Sequence, residues 1–60
     1  MSELPKFGDG GRDIVVTMPD GTELITQLAL LDARPESLTW GVRYGHGHVP
    51  LSAFLGWRWP

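Results

Sequence analysis

With no cysteine among its sixty residues, this chain cannot staple its fold with disulfides. A domain of that length buries only about 60% of the surface its unfolded form exposes, so one hydrophobic core alone is marginal. Small chains in this position draw on a structural metal, on self-association or on a partner, and the commonest zinc ligand is missing here. One domain that relies on a second copy or a binding partner is the expectation. The lack of thiols agrees with a reducing compartment. The opening Met1-Ser2-Glu3-Leu4-Pro5-Lys6 has neither the basic start nor the apolar stretch of a signal peptide. The longest apolar run, Leu28-Ala29-Leu30-Leu31, falls far short of the roughly 20 residues that cross a bilayer. A cytoplasmic protein with no membrane partner is predicted.

Charge narrows the partners. Seven acids against five bases give a formal charge of −2, the reverse of the basic footprint of a protein that neutralises phosphates. Nucleic acid is therefore disfavoured as a ligand. Apart from Lys6 the bases are arginines, Arg12, Arg34, Arg43 and Arg58. Arginine is enriched at protein interfaces because its planar fork pairs bidentately and stacks on rings.

Along the chain, residues 1–11 read as a flexible N-terminal arm, since Pro5 and Gly8-Asp9-Gly10-Gly11 carry no helical or strand period and only Phe7 could pin them down. Residues 12–60 read as a single small domain. Ile14-Val15-Val16-Thr17 is β-branched throughout, which predicts a strand over 13–18. Pro19-Asp20-Gly21-Thr22 then supplies a preset φ, an Asx position and a glycine free to take positive φ, the chemistry of a three- to four-residue hairpin loop.

The next segment admits two readings. Leu24, Leu28 and Leu31 stand at helical spacing behind a possible Asp20-x-x-Glu23 capping box, giving a helix at about 22–33. As a strand, Leu24, Thr26, Leu28 and Leu30 face one way and Ile25, Gln27, Ala29 and Leu31 the other, with both faces largely covered. The strand is favoured, because the turn before it suits a hairpin better than a helix entry. Residues 32–37 form a polar connection around Pro35.

The clearest period follows. Leu38, Trp40, Val42 and Tyr44 alternate with Thr39, Gly41 and Arg43, a strand with one apolar face. Gly45-His46-Gly47-His48 is a glycine-rich turn, Leu51–Leu55 a single helical turn stopped at Gly56, and Trp57-Arg58-Trp59-Pro60 a short closing strand. The fold class predicted is mostly β, a small antiparallel sheet or partly open SH3-like barrel of four to five short strands; the alternative is α+β with the one helix at 22–33.

Catalytic constellations are absent from the pattern. Ser2, Ser37 and Ser52 lie in no nucleophile setting, and sixty residues leave little room for a shielded pocket with supporting side chains, so a non-enzyme is expected. His46 and His48 offer two imidazoles in one turn, too few for a closed metal site, and read as solvated turn residues. No helix follows the Gly8–Gly11 cluster, so it is not read as a phosphate loop, and no cofactor is expected.

The aromatics are the informative residues. Trp40, Tyr44, Phe54, Trp57 and Trp59 all fall in the last 21 positions, alongside Arg43 and Arg58. Trp, Tyr and Arg dominate binding hot spots. Trp40, in the alternating strand, is assigned to the core. Arg43, Tyr44, Trp57, Arg58 and Trp59 are the candidate partner-binding residues. Rings that stack on bases need a positive groove beside them, which a net-acidic chain with one lysine lacks.

The leading Pro/Gly segment, the strand Ile14-Val15-Val16, the Asp20-Gly21 turn and the closing Gly56-Trp57-Arg58-Trp59-Pro60 together resemble small accessory proteins carried by bacteriophages and prophages. The similarity covers about half the chain and carries over no functional residue. What it implies is a compact protein that docks on one host or viral protein and inhibits or modulates it. The reading is thus a non-enzymatic protein-interaction module, with a homodimer as a further source of stability. Its alternatives are a small nucleic-acid-binding β-barrel and a minor structural component of a viral particle.

Overall fold

A computed structural model describes residues 4–60, so the first three residues of the predicted arm lie outside it. The chain forms five strands, β1 (Asp13–Thr17), β2 (Glu23–Arg34), β3 (Ser37–Tyr44), β4 (Gly47–Pro50) and β5 (Gly56–Arg58), with 3-10 turns at Phe7–Asp9 and Leu51–Ala53. They make one sheet in the order β4-β3-β2-β1-β5, antiparallel throughout and not closed. The reading of a mostly β chain with a small antiparallel sheet of four to five strands holds, with five strands present. Within the arm, the 3-10 turn is held by the Asp9 N–H on the Lys6 carbonyl and the Lys6 N–H on the Asp9 carboxylate, each 2.8 Å, while Phe7 stays exposed and pins nothing.

The β1–β2 loop is the predicted three-residue hairpin. Met18 N–H donates to Thr22 O at 2.7 Å and Gly21 N–H to Met18 O at 2.9 Å, with Pro19 presetting the turn and Gly21 at φ 92°. The Asp20 carboxylate accepts from the Thr22 hydroxyl at 2.7 Å and from its N–H at 3.0 Å. The hydroxyl bond first, then the backbone bond, holds the Asp20 pKa below its ordinary value. A depressed folded pKa stabilises the fold above the unfolded value of about 3.9, and that contribution disappears as pH falls through the folded value. Asp20→Ala should therefore lower the melting temperature at pH 7, with the gap to wild type narrowing as the pH falls below the unfolded value of about 3.9 in a circular-dichroism melting series. A gap independent of pH would exclude this role for the carboxylate.

β1 stops at Thr17 and not at 18, the turn expected over 51–55 covers Leu51–Ala53, and β5 is Gly56–Arg58 and not 57–60; two other boundaries differ more. β2 continues as a strand through Arg34, which removes the helix at 22–33 and reduces the connection at 32–37 to the two residues Pro35 and Glu36. Polarity at 32–34 marks exposure at a hairpin tip and not the end of the strand. Asp32 and Arg34 share a face at period two, where Arg34 Nε donates to Asp32 Oδ2 at 2.9 Å. Likewise Gly47 and His48 belong to β4, and the turn is only Gly45–His46, with Gly45 at φ 60°. Nor is β2 covered on both faces, because Ile25 is 68% exposed.

The position of the core follows from how β2 is shared. Its first part, Glu23–Gln27, pairs with β1 and its second, from Leu28 on, pairs with β3. At the handover Leu28 N–H donates to Arg12 O at 2.9 Å and Leu28 O accepts from Gly11 N–H at 2.7 Å. Two residues facing one, with Gly11 at φ 86°, make a glycine bulge that turns β1 at this point. The two wings of the sheet close over Ile14, Val16, Leu28, Trp40 and Val42, all buried, with Leu30, Leu38, Leu51, Phe54, Trp57 and Trp59 packed around them. Each fully buried aliphatic side chain contributes about 1.5–3 kcal/mol, so few residues hold the domain. Beyond Val42 the strands part, and the Thr26 hydroxyl donates to the Arg43 carbonyl at 2.5 Å in place of a ladder bond.

Candidate interaction surface

Period two assigns the residues of β5 to opposite faces. Trp57 pairs with Val16, whose side chain is in the core, so Trp57 and, two residues on, Trp59 turn inward. Their rings meet edge to face, 5.4 Å between centroids and 78° between planes. The Arg12 guanidinium lies 4.1 Å from the Trp59 ring centroid, and its Nη1 stands 3.5 Å from Asp9 Oδ1. The bulge and the 3-10 turn thereby fasten the N-terminal segment onto the last tryptophan.

Arg58 faces outward. Its Nε and Nη2 each donate to the Glu23 carboxylate at 3.2 Å. Because β1 lies between β5 and β2, the arginine arm must cross the outer face of β1, where it pairs with Val15. That crossing accounts for Val15 being only 4% exposed on the solvent side of the sheet. With both partners about half exposed, the ion pair itself is worth at most about 1 kcal/mol.

Arg43 and Tyr44 stand at the far end of β3. Arg43 points outward opposite His48 and has no carboxylate partner among the described residues. Tyr44 is on the inward side but beyond the buried cluster; 44% exposed, it packs at 6.5 Å on Phe54. The Leu51–Ala53 turn packs against both β3 and β5, and the Leu55 N–H then donates to Thr17 O at 2.9 Å, leaving the Leu55 side chain 70% exposed.

The five candidate residues therefore do not form one patch. Arg43 and Tyr44 share one end of β3, while Trp57, Arg58 and Trp59 lie on the opposite edge strand with the two rings turned toward the core. Phe54 and Leu55, which link the two groups, were not singled out by pattern. Phe54 meets Tyr44 only through a tertiary contact, and nothing local marks Leu55 as exposed. His46 and His48 are both exposed, and no group of three or more His, Asp or Glu side chains converges among the described residues. No helix of the described residues is long and apolar enough to cross a membrane.

No protein-family model, curated protein or solved structure matches this chain. What it does must be read from its surface.

Proposed function

We propose that this protein is a non-enzymatic interaction module that docks on another protein through the end of β3 and the segment leading into β5. The observation that supports the reading most is the exposed Tyr44, packed on the half-buried Phe54 next to the exposed Leu55, at the end of β3 where Arg43 has no carboxylate partner among the described residues. A tyrosine and an arginine at the end of a strand are residue types that dominate binding hot spots, with Leu55 adding apolar area from the bend before β5. The open edges of β4 and β5 leave room for a partner strand to add. The same reading takes the bent sheet as an SH3-like, partly open barrel, on the sharing of β2 between two wings and the 3-10 turn before β5. Inhibition or modulation of the bound protein, in a bacterial cytoplasm, follows if the bound surface is one its target needs.

A tagged pull-down from bacterial lysate, with nuclease and at moderate salt, tests it. Wild type should retain a specific protein that a Tyr44→Ala/Leu55→Ser variant, shown folded by circular dichroism, does not. Retention that vanishes with nuclease would replace the reading with nucleic-acid binding. Specific retention of nothing but further copies of the chain would favour a structural, self-assembling role.

A further inference from the structure

All seven acidic residues lie at or before Glu36, whereas residues 37–60 carry Arg43, His46, His48 and Arg58 and no acidic side chain. Three of the four arginines are matched within the fold, Arg12 by Asp9, Arg34 by Asp32 and Arg58 by Glu23. Arg43 is not. On the outer face it stands directly opposite His48, with His46 in the turn between them, and all three are exposed. None of the ion pairs among the described residues includes Arg43.

The backbone of β4 adds a second feature. The Val49 carbonyl points toward β3, 2.7 Å from where a Cβ on Gly41 would stand. Hydrogen-bonding direction alternates along an antiparallel strand, so the N–H and C=O of His48 face the open edge. Pro50, with no N–H to offer, limits that edge to a short stretch.

We propose that the β3–β4 hairpin end binds a carboxylate-rich, extended segment of a partner protein, an inference that rests on the interaction-module reading above. The segment pairs with the free backbone groups of His48, and a carboxylate of it takes the Arg43 fork, which matches that group bidentately. The imidazole N–H groups of His46 and His48 and the Tyr44 hydroxyl are further donors at the same end. A protein carboxylate fits better than a nucleic-acid backbone, whose affinity comes from neutralising several phosphates at once; one unpaired guanidinium on a chain of charge −2 does not supply that.

The test is a titration of the ¹⁵N-labelled protein with a blocked hexaglutamate peptide, followed by amide chemical shifts. Saturable shifts confined to residues 43–49, weakening as salt rises past the point where the Debye length drops below about 10 Å, are expected. Arg43→Glu should weaken binding by more than about tenfold, the scale of a lost charged partner at a docking surface, with the rest of the spectrum unchanged. No saturable shifts, shifts elsewhere, or shifts indifferent to Arg43→Glu would overturn the proposal. So would stronger binding of an oligothymidylate, which points to nucleic acid, or the same shifts on concentrating the protein alone, which points to a second copy. A lysate protein retained equally by wild type and Arg43→Glu but lost from Tyr44→Ala/Leu55→Ser would sink this inference and leave the interaction module standing.

Discussion

Trp40→Ala should leave the protein largely unfolded near body temperature. Trp40 is 8% exposed and is the largest member of a buried cluster otherwise built from Ile14, Val16, Leu28 and Val42. Truncating a buried tryptophan costs about 3–5 kcal/mol, through lost transfer energy and the cavity left behind. A sixty-residue domain has a total stability of only about 3–9 kcal/mol, at about 0.05–0.15 kcal/mol per residue. The two quantities are of one size, so the substitution removes most of the margin. A urea titration followed by far-ultraviolet circular dichroism decides it: a midpoint close to that of wild type would mean that the wings of the sheet do not close over this ring.

Gly41→Ala is the second large effect, and its mechanism is the opposite one, overpacking. Gly41 is buried in β3 between its neighbours Ala29 and Pro50 in the ladder. A Cβ there would stand 2.5 Å from Leu31 Cδ1 and 2.7 Å from the Val49 carbonyl oxygen. The leucine tip can swing away, since Leu31 is partly exposed, but the carbonyl belongs to a paired strand and can yield only if β4 shifts. Inserted carbon in a packed site costs about 1–3 kcal/mol. Denaturation should show a loss in that range, and the double variant Gly41→Ala/Leu31→Ala should recover only part of it. Full recovery would place the whole conflict on the leucine and none on the β4 backbone.

Gly41 also shows where sequence reasoning stops. The alternation of Leu38, Trp40, Val42 and Tyr44 was legible because period two is a local property of a strand with one buried face. The Pro19-Asp20-Gly21 turn was legible for the same reason, since turn chemistry acts on its own few residues. That Gly41 must be a glycine depends on Leu31 and Val49, brought in by two different pairings, and no short window contains that information. The extension of β2 through Asp32 and Arg34 was hidden differently. Charged residues suit a loop and an exposed hairpin tip equally well, and the bulge between Leu30 and Asp32 breaks the alternation that would have told them apart.

The candidate surface was read only in part. Composition located five of the six aromatics, with Arg43 and Arg58, in the last 21 positions, and the alternation Trp57-Arg58-Trp59 predicts that the rings share a face with Arg58 opposite. Which face meets the core depends on the register of β5 against β1, fixed by Val16 opposite Trp57 across 41 positions of chain, the difference of 57 and 16. The bond from Arg58 to Glu23 and the packing of Arg12 on Trp59 are equally remote in sequence. What separates Arg43 from the other arginines is the absence of such a match among the described residues, visible only once the matches of the others are known.

The antiparallel pairing of β1 with β5 sets how the molecule responds to mechanical load. The last residue of β5 lies beside the middle of β1, Val15 facing Arg58, and the two strands run in opposite directions. A pull on the two chain ends therefore acts across the ladder and not along it. It opens the hydrogen bonds in succession, as a zipper opens, and never loads them all together in shear. The first resistance such a pull meets is the contact of Arg12 with Trp59, with Asp9 behind it, at the fork where the two ends diverge.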